Sequence, residues 1–189
     1  MRSRLVIGVA ALLVHFSMAN DARAQTITEY SLPAGSAPIE ITSGPDGNLW
    51  FTEDGAGNVG RITTSGVTTL FPTPSACAQA CGITTGPNGN LWFSETGSNQ
   101  IGQITTTGTI TQFSIPNPTK ATGPFGITTG SDGALWFMQP FDNTVGRLTT
   151  SGTFSSFTVP TSSGEPVGIT GGRTAHFGSL SSTRIKLGA

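Results

Sequence analysis

The chain is poor in charge. Only 10% of its 189 residues are Asp, Glu, Lys or Arg, and the formal net charge is −1. A basic patch large enough to hold a phosphate backbone cannot be built from nine Lys and Arg spread along the whole length, which argues against a nucleic-acid partner. Histidine is also scarce, with only His15 and His176, so a multi-histidine metal centre is excluded. Two cysteines, Cys77 and Cys81, are too few for a zinc site of the usual kind, and no histidine stands near them. Long apolar runs are missing after the N-terminus, which leaves no candidate transmembrane helix in the body of the chain. The apolar residues are spaced rather than depleted, which argues against disorder.

Glycine is abundant instead, with 26 Gly and 12 Pro. Together with many Thr and Ser, this composition suits short strands and tight turns rather than helices. One segment recurs three times: ITSGPDGNLWFTE from Ile41, ITTGPNGNLWFSE from Ile83 and ITTGSDGALWFMQ from Ile127. Trp50, Trp92 and Trp136 mark a period of about 40–45 residues, the signature of a propeller with one blade per repeat. A fourth copy begins at Pro166-Val167-Gly168-Ile169 and stops after Gly172.

Each repeat reads as four strands. In the second they are Gly82–Thr85, Leu91–Ser94, Gln100–Thr105 and Thr109–Phe113, separated by a Gly-Pro-Asn-Gly-Asn turn, a looser turn through Gly97 and Thr107-Gly108. Pro116 and Pro118 close the blade, because proline cannot donate within a ladder. Thr26–Pro33 matches the fourth strand of a repeat and predicts a leading strand. The expected fold is all-β, an incomplete propeller of three four-stranded blades at about 37–74, 80–118 and 124–160. The leading strand precedes them and a broken fourth repeat follows over 166–172. Asn58, Asn99 and Asn143 align as one repeated position, as do Glu53, Glu95 and Gln139. Recurrence in every blade favours a structural role for both sets over a ligand site.

The N-terminus has the pattern of a signal peptide over 1–24. Arg2 and Arg4 precede an apolar stretch from Leu5 to Phe16, and Ala22-Arg23-Ala24 supplies the cleavage pattern. The expected mature protein is exported, periplasmic or secreted, and free of the membrane after cleavage. Losing Arg2, Arg4, Arg23 and Asp21 would bring the net charge to about −3. Export would permit a disulfide between Cys77 and Cys81, with two free thiols as the alternative.

These repeats resemble those of the virginiamycin B lyase family of streptogramin-inactivating enzymes. The matching features are G-I-T-x-G-P-D-G-N-L-W-F-T-E, then N-x-I-G-R-I-T, then G-x-I-T-E-F-x-x-P, from Thr26 to about Gly172. The resemblance implies a seven-bladed propeller. It also implies an enzyme that opens a cyclic depsipeptide by elimination at its ester, using Mg²⁺ and a histidine base in a Glu-Pro-His-Gly segment. The corresponding segments here are Pro38-Ile39-Glu40-Ile41, Ala80-Cys81-Gly82-Ile83, Pro124-Phe125-Gly126-Ile127 and Glu165-Pro166-Val167-Gly168. Val167 stands at the histidine position and cannot accept a proton. No catalytic residue is therefore assigned, and no cofactor is expected in this chain. Glu165 is the one candidate metal ligand, read first as an ordinary loop carboxylate. Two alternatives stand beside a lyase relative without activity: a periplasmic propeller that binds a small molecule or protein without catalysis, and an enzyme of another propeller class such as a lactonase. No ligand can be named.

Residues 173–189 carry no repeat pattern. Joining the third base of each codon from Gly172 to the first two bases of the next permits the reading PDGALWFTEQHKNKIGR. Every junction from Gly172-Arg173 to Gly188-Ala189 is compatible, and the shifted Trp falls at Phe177-Gly178, one repeat beyond Trp136. The expectation is a frameshifted tail on a longer propeller, in a chain that self-associates through open blade edges.

Overall fold

The structure is a computed structural model that describes residues 28–54, 57–75, 80–116, 123–161, 168–171 and 178–180. The expected signal peptide and most of the expected aberrant tail lie outside these residues. The chain divides into two compact units, Met1–Tyr30 and Ser31–Ala189. The described part of the first, Thr28–Tyr30, has no regular secondary structure.

The described residues of the second unit are all-β apart from a short 3-10 turn at Pro140–Asp142. Three four-stranded antiparallel sheets follow one another, each in simple chain order. Blade 1 comprises β1 (Pro38–Ser43), β2 (Leu49–Glu53), β3 (Asn58–Ile62) and β4 (Thr68–Pro72). Blade 2 comprises β5 (Ala80–Thr85), β6 (Leu91–Glu95), β7 (Gln100–Ile104) and β8 (Ile110–Ser114). Blade 3 comprises β9 (Ile127–Thr129), β10 (Leu135–Gln139), β11 (Thr144–Leu148) and β12 (Phe154–Thr158). These are the meanders of an incomplete β-propeller.

Two details differ from the sequence expectation. The described part of the leading segment, residues 28–37, forms no strand and turns instead at Ala34-Gly35, where the Ser36 amide donates to Pro33 O at 3.1 Å. A fourth-type strand exists only as the outer member of a ladder, and the three blades already carry their own. The fourth repeat contributes a pair rather than one strand: β13 (Gly168–Thr170) runs antiparallel to β14 (Gly178–Leu180), which lies within the expected tail.

The repeat motif is explained by what its residues touch. Trp50 Nε1 donates to Asp46 Oδ1, Trp92 Nε1 to Asn88 Oδ1 and Trp136 Nε1 to Asp132 Oδ1, each at 3.0 Å. The turn residue four positions earlier thus fixes the indole and satisfies its only donor. Each indole also stacks on a phenylalanine of its own blade's fourth strand, Phe71, Phe113 or Phe157, with ring centroids 5.3 to 5.5 Å apart. On the other face of each sheet, Phe51, Phe93 and Phe137 lie over Gly60, Gly102 and Gly146. A Cβ on Gly102 would sit 2.2 Å from the Phe93 ring, so the glycine is required by packing.

The two faces of each sheet meet between blades. Trp50, Val59 and Phe71 of blade 1 pack on Ile83, Leu91, Phe93, Ile104 and Ile110 of blade 2. Trp92, Ile101 and Phe113 of blade 2 pack in the same way on Ile127, Leu135, Phe137, Leu148 and Phe154 of blade 3. We call the first face trailing and the second leading. Hydroxyls tie the first strands together: Thr85 Oγ1 donates to Ser43 O at 2.6 Å, and Thr129 Oγ1 to Thr85 O at 2.7 Å.

Candidate functional site at the strand-entry end

Antiparallel pairing places the entry of each first strand beside the exit of the second, as in Pro38↔Glu53 and Ala80↔Glu95. This end of the unit gathers Glu40, Glu53 and Asp54 from blade 1, Cys81, Glu95 and Thr96 from blade 2, and Phe125 and Gln139 from blade 3. It is also the end at which the entry segments lie that correspond to the Glu-Pro-His-Gly motif.

The entry segments interlock. Glu40 Oε2 accepts from the Ile83 amide at 3.2 Å, across the boundary between blades 1 and 2. Burial pushes the Glu40 carboxyl above its usual value, and the Ile83 N–H only partly offsets this. Thr52 Oγ1 donates to Cys81 O at 2.8 Å. Thr96 Oγ1 donates to Pro124 O at 2.7 Å and lies 3.1 Å from Cys81 Sγ. Burial raises the Cys81 thiol above its usual value, Thr96 works against the rise, and the carboxylates of Asp54 and Glu40 add to it. A thiol held this way stays protonated at neutral pH and is a poor base or nucleophile.

The repeated acidic position lies deeper. Glu53 and Glu95 are buried, as is Gln139. Asn58 Nδ2 donates to Glu53 Oε2 at 3.0 Å. Glu95 Oε2 accepts from Gln112 Nε2 at 2.6 Å and from Ser98 Oγ at 3.1 Å. In blade 3, Thr144 Oγ1 donates to Gln139 Oε1 at 3.2 Å. Each partner belongs to the same blade, so these residues brace the β2–β3, β6–β7 and β10–β11 turns, in keeping with their structural reading. Burial raises the Glu95 carboxyl above its usual value, while Gln112 and Ser98 act in the opposite direction.

The asparagine alignment requires a correction. Asn99 and Asn143 occupy the left-handed region, at φ 54° and 52°, but Asn58 is the first residue of β3. The equivalent of Asn99 is Gly57, at φ 62°; its carbonyl accepts from Thr73 as Asn99 O accepts from Ile115 and Asn143 O from Val159. The turn needs a residue that tolerates positive φ, and glycine meets that need as well as asparagine. The alignment Val59, Ile101, Val145 would have revealed this.

Cys77 and Glu165 lie outside the described residues, as do Val167 and His176. Glu40 was missed as a site residue, although it stands in one of the four entry segments. Among the described residues, no three His, Cys, Asp or Glu side chains stand together as a metal-holding group. Glu40, Glu53 and Glu95 each engage one carboxylate oxygen with an amide or hydroxyl, while Glu53 Oε1 and Glu95 Oε1 are buried without a hydrogen-bond partner in the structure.

Comparison with known proteins agrees with this architecture. The family profile described as the virginiamycin B lyase family matches residues 14–186. Among solved structures, selenomethionine-substituted virginiamycin B lyase from Staphylococcus aureus is 43% identical with a TM-score of 0.79, covering 82% of this chain and 53% of that one. A catalytically inactive histidine-to-alanine form of the S. aureus enzyme, solved with quinupristin, is 42% identical with a TM-score of 0.77, covering 85% and 58%. A streptogramin B lyase is 35% identical with a TM-score of 0.78, covering 84% and 53%. The chain therefore spans little more than half the length of these structures. No curated protein matches it. Repeat, sheet order and similarity over most of this chain converge, and the chain belongs to the virginiamycin B lyase family.

Proposed function

We propose that this chain is an exported propeller segment of the lyase family that does not itself carry out the ring-opening elimination. The observation that carries this reading is the identity of the four residues at the histidine position: Ile39, Cys81, Phe125 and Val167. Only Cys81 can titrate, and burial holds its thiol on the protonated side. Removing a proton next to a carbonyl needs a base whose pKa lies near the working pH. Isoleucine, phenylalanine and valine offer none. We also propose that the frame shifts after Gly172 and that the remaining blades are encoded downstream, a reading supported by the compatible codon junctions.

The test is direct. The purified chain, with Mg²⁺ added, is incubated with a streptogramin B depsipeptide, and linear product is followed by chromatography. No turnover above the buffer control is expected; turnover that scales with protein concentration would overturn the proposal. Sequencing the DNA across the Gly172 codon checks the frame: repeats continuing in the shifted frame are expected, and a downstream region without repeats would refute the shift. The N-terminal residue of secreted material, expected to be Gln25, checks export.

A further inference from the structure

We propose that Asn88 is a modification site: the Asn88-Gly89 turn of blade 2 loses ammonia and becomes the Asp-Gly turn that blades 1 and 3 already carry. Asn88-Gly89 is the only Asn-Gly dipeptide in the chain, and the repeat aligns it with Asp46-Gly47 and Asp132-Gly133. Glycine is the neighbour this chemistry needs, because without a Cβ nothing shields its amide nitrogen from the preceding side chain. Asn88 and Gly89 are both exposed, so water reaches the turn.

The step balances with water as co-reactant. Gly89 N attacks Asn88 Cγ, the N–Cγ bond forms, the Cγ–Nδ2 bond breaks, and ammonia leaves with the proton from Gly89 N. Water then opens the cyclic imide. Breaking the new Cγ–N bond gives aspartate. Breaking the original peptide C–N bond leaves the main chain running through Cγ, as isoaspartate.

The three turns show which product fits. Trp92 Nε1 donates to Asn88 Oδ1 at 3.0 Å, as Trp50 does to Asp46 and Trp136 to Asp132. The amide two residues on donates to the same oxygen: Asn90 to Asn88 at 3.4 Å, Asn48 to Asp46 at 3.3 Å and Ala134 to Asp132 at 3.2 Å. An aspartate at position 88 keeps both bonds and replaces the Nδ2 donor with a second acceptor. In blade 1 that second oxygen accepts from Asn48 Nδ2 at 2.8 Å, and Asn90 is the equivalent of Asn48. Isoaspartate instead adds one carbon to the main chain inside the turn. That turn is closed by the Gly86 amide on Asn90 O at 2.8 Å and the Gly89 amide on Gly86 O at 3.2 Å. It also shortens the branch that must reach the indole. The fold therefore accepts aspartate and rejects isoaspartate.

The experiment is incubation of the full chain at mildly alkaline pH, with peptide mapping by fragmentation that separates the two isomers. Asn88 should lose ammonia at least about tenfold faster than any other asparagine. Isoelectric focusing should show the formal net charge move from −1 by one further negative charge. Gly89→Ala, which has open space for its Cβ, should slow the reaction by about tenfold or more. Asn88→Asp should melt no lower than the wild type, and the isoaspartyl fraction about 2–4 °C lower. Circular dichroism checks the fold of both variants; should Gly89→Ala unfold, the melting of Asn88→Asp and of the isoaspartyl fraction still decides. A rate at Asn88 no faster than at the other asparagines would overturn the proposal. So would a folded Gly89→Ala that reacts as fast as the wild type, an Asn88→Asp that melts lower, or an isoaspartyl fraction that melts with the wild type.

Discussion

At the level of single residues, packing and backbone conformation make separable demands on glycine. Gly89 sits in the turn before β6 at φ +74°, with open space where a Cβ would go. Gly89→Ala should cost only the backbone penalty, about 1 kcal/mol. Gly102→Ala drives a methyl into the Phe93 ring, inside the packed 1–2 interface, and should cost about 3 kcal/mol or more. Urea denaturation of both variants checks the order; equal losses would contradict the packing argument. Glu95 gives a second prediction. Its folded pKa lies above the unfolded value, so its favourable contribution is complete below the unfolded pKa and is lost as pH rises through the folded one. Its Oε1 is buried with no hydrogen-bond partner in the structure, and the equivalent residue in blade 3 is Gln139. Glu95→Gln should therefore stabilise the chain by about 1 kcal/mol at neutral to mildly alkaline pH. The gain should vanish as pH falls to the ordinary glutamate range. Thermal unfolding against pH measures this, and a gain independent of pH would show that the charge is not the cause.

Among the elements, the strands were the most legible feature of the sequence. Leu91-Trp92-Phe93 is a short apolar run of strand length, Ile101 stands between Gln100 and Gly102, and the turns are marked by Gly-Pro-Asn-Gly and Thr-Gly, so sheet order could be read directly. The position of Gly57 was legible only through the alignment of Val59, Ile101 and Val145, because a positive-φ requirement can be met by either of two residue types. Nor was the engagement of Glu40, whose partner is the Ile83 amide in the next blade. Contacts between repeats leave no mark on the spacing within one repeat. The same holds for the hydroxyls joining first strands. Thr129→Val removes the donor to Thr85 O while keeping shape, and should cost about 1 kcal/mol, or about 2–4 °C in Tm. An unchanged Tm would mean that water satisfies Thr85 O equally well. The hydroxyl series ends at Gly171, which has no side chain to donate.

For the second unit taken whole, stability should be uneven. Among the described residues, blade 2 is the blade whose two faces are both covered by complete neighbours. Blades 1 and 3 each present one face with exposed Ile41 and Leu49 or Phe157. Stacked repeats gain stability from their interfaces more than from themselves. Local opening should then be least frequent in the middle blade. The account rests on this interlocking of leading and trailing faces. Hydrogen exchange tests it most directly. Amides of β6 and β7 should exchange more slowly than those of β2 and β3 or of β10 and β11. Exchange that is uniform across the three blades, or fastest in blade 2, would contradict the account.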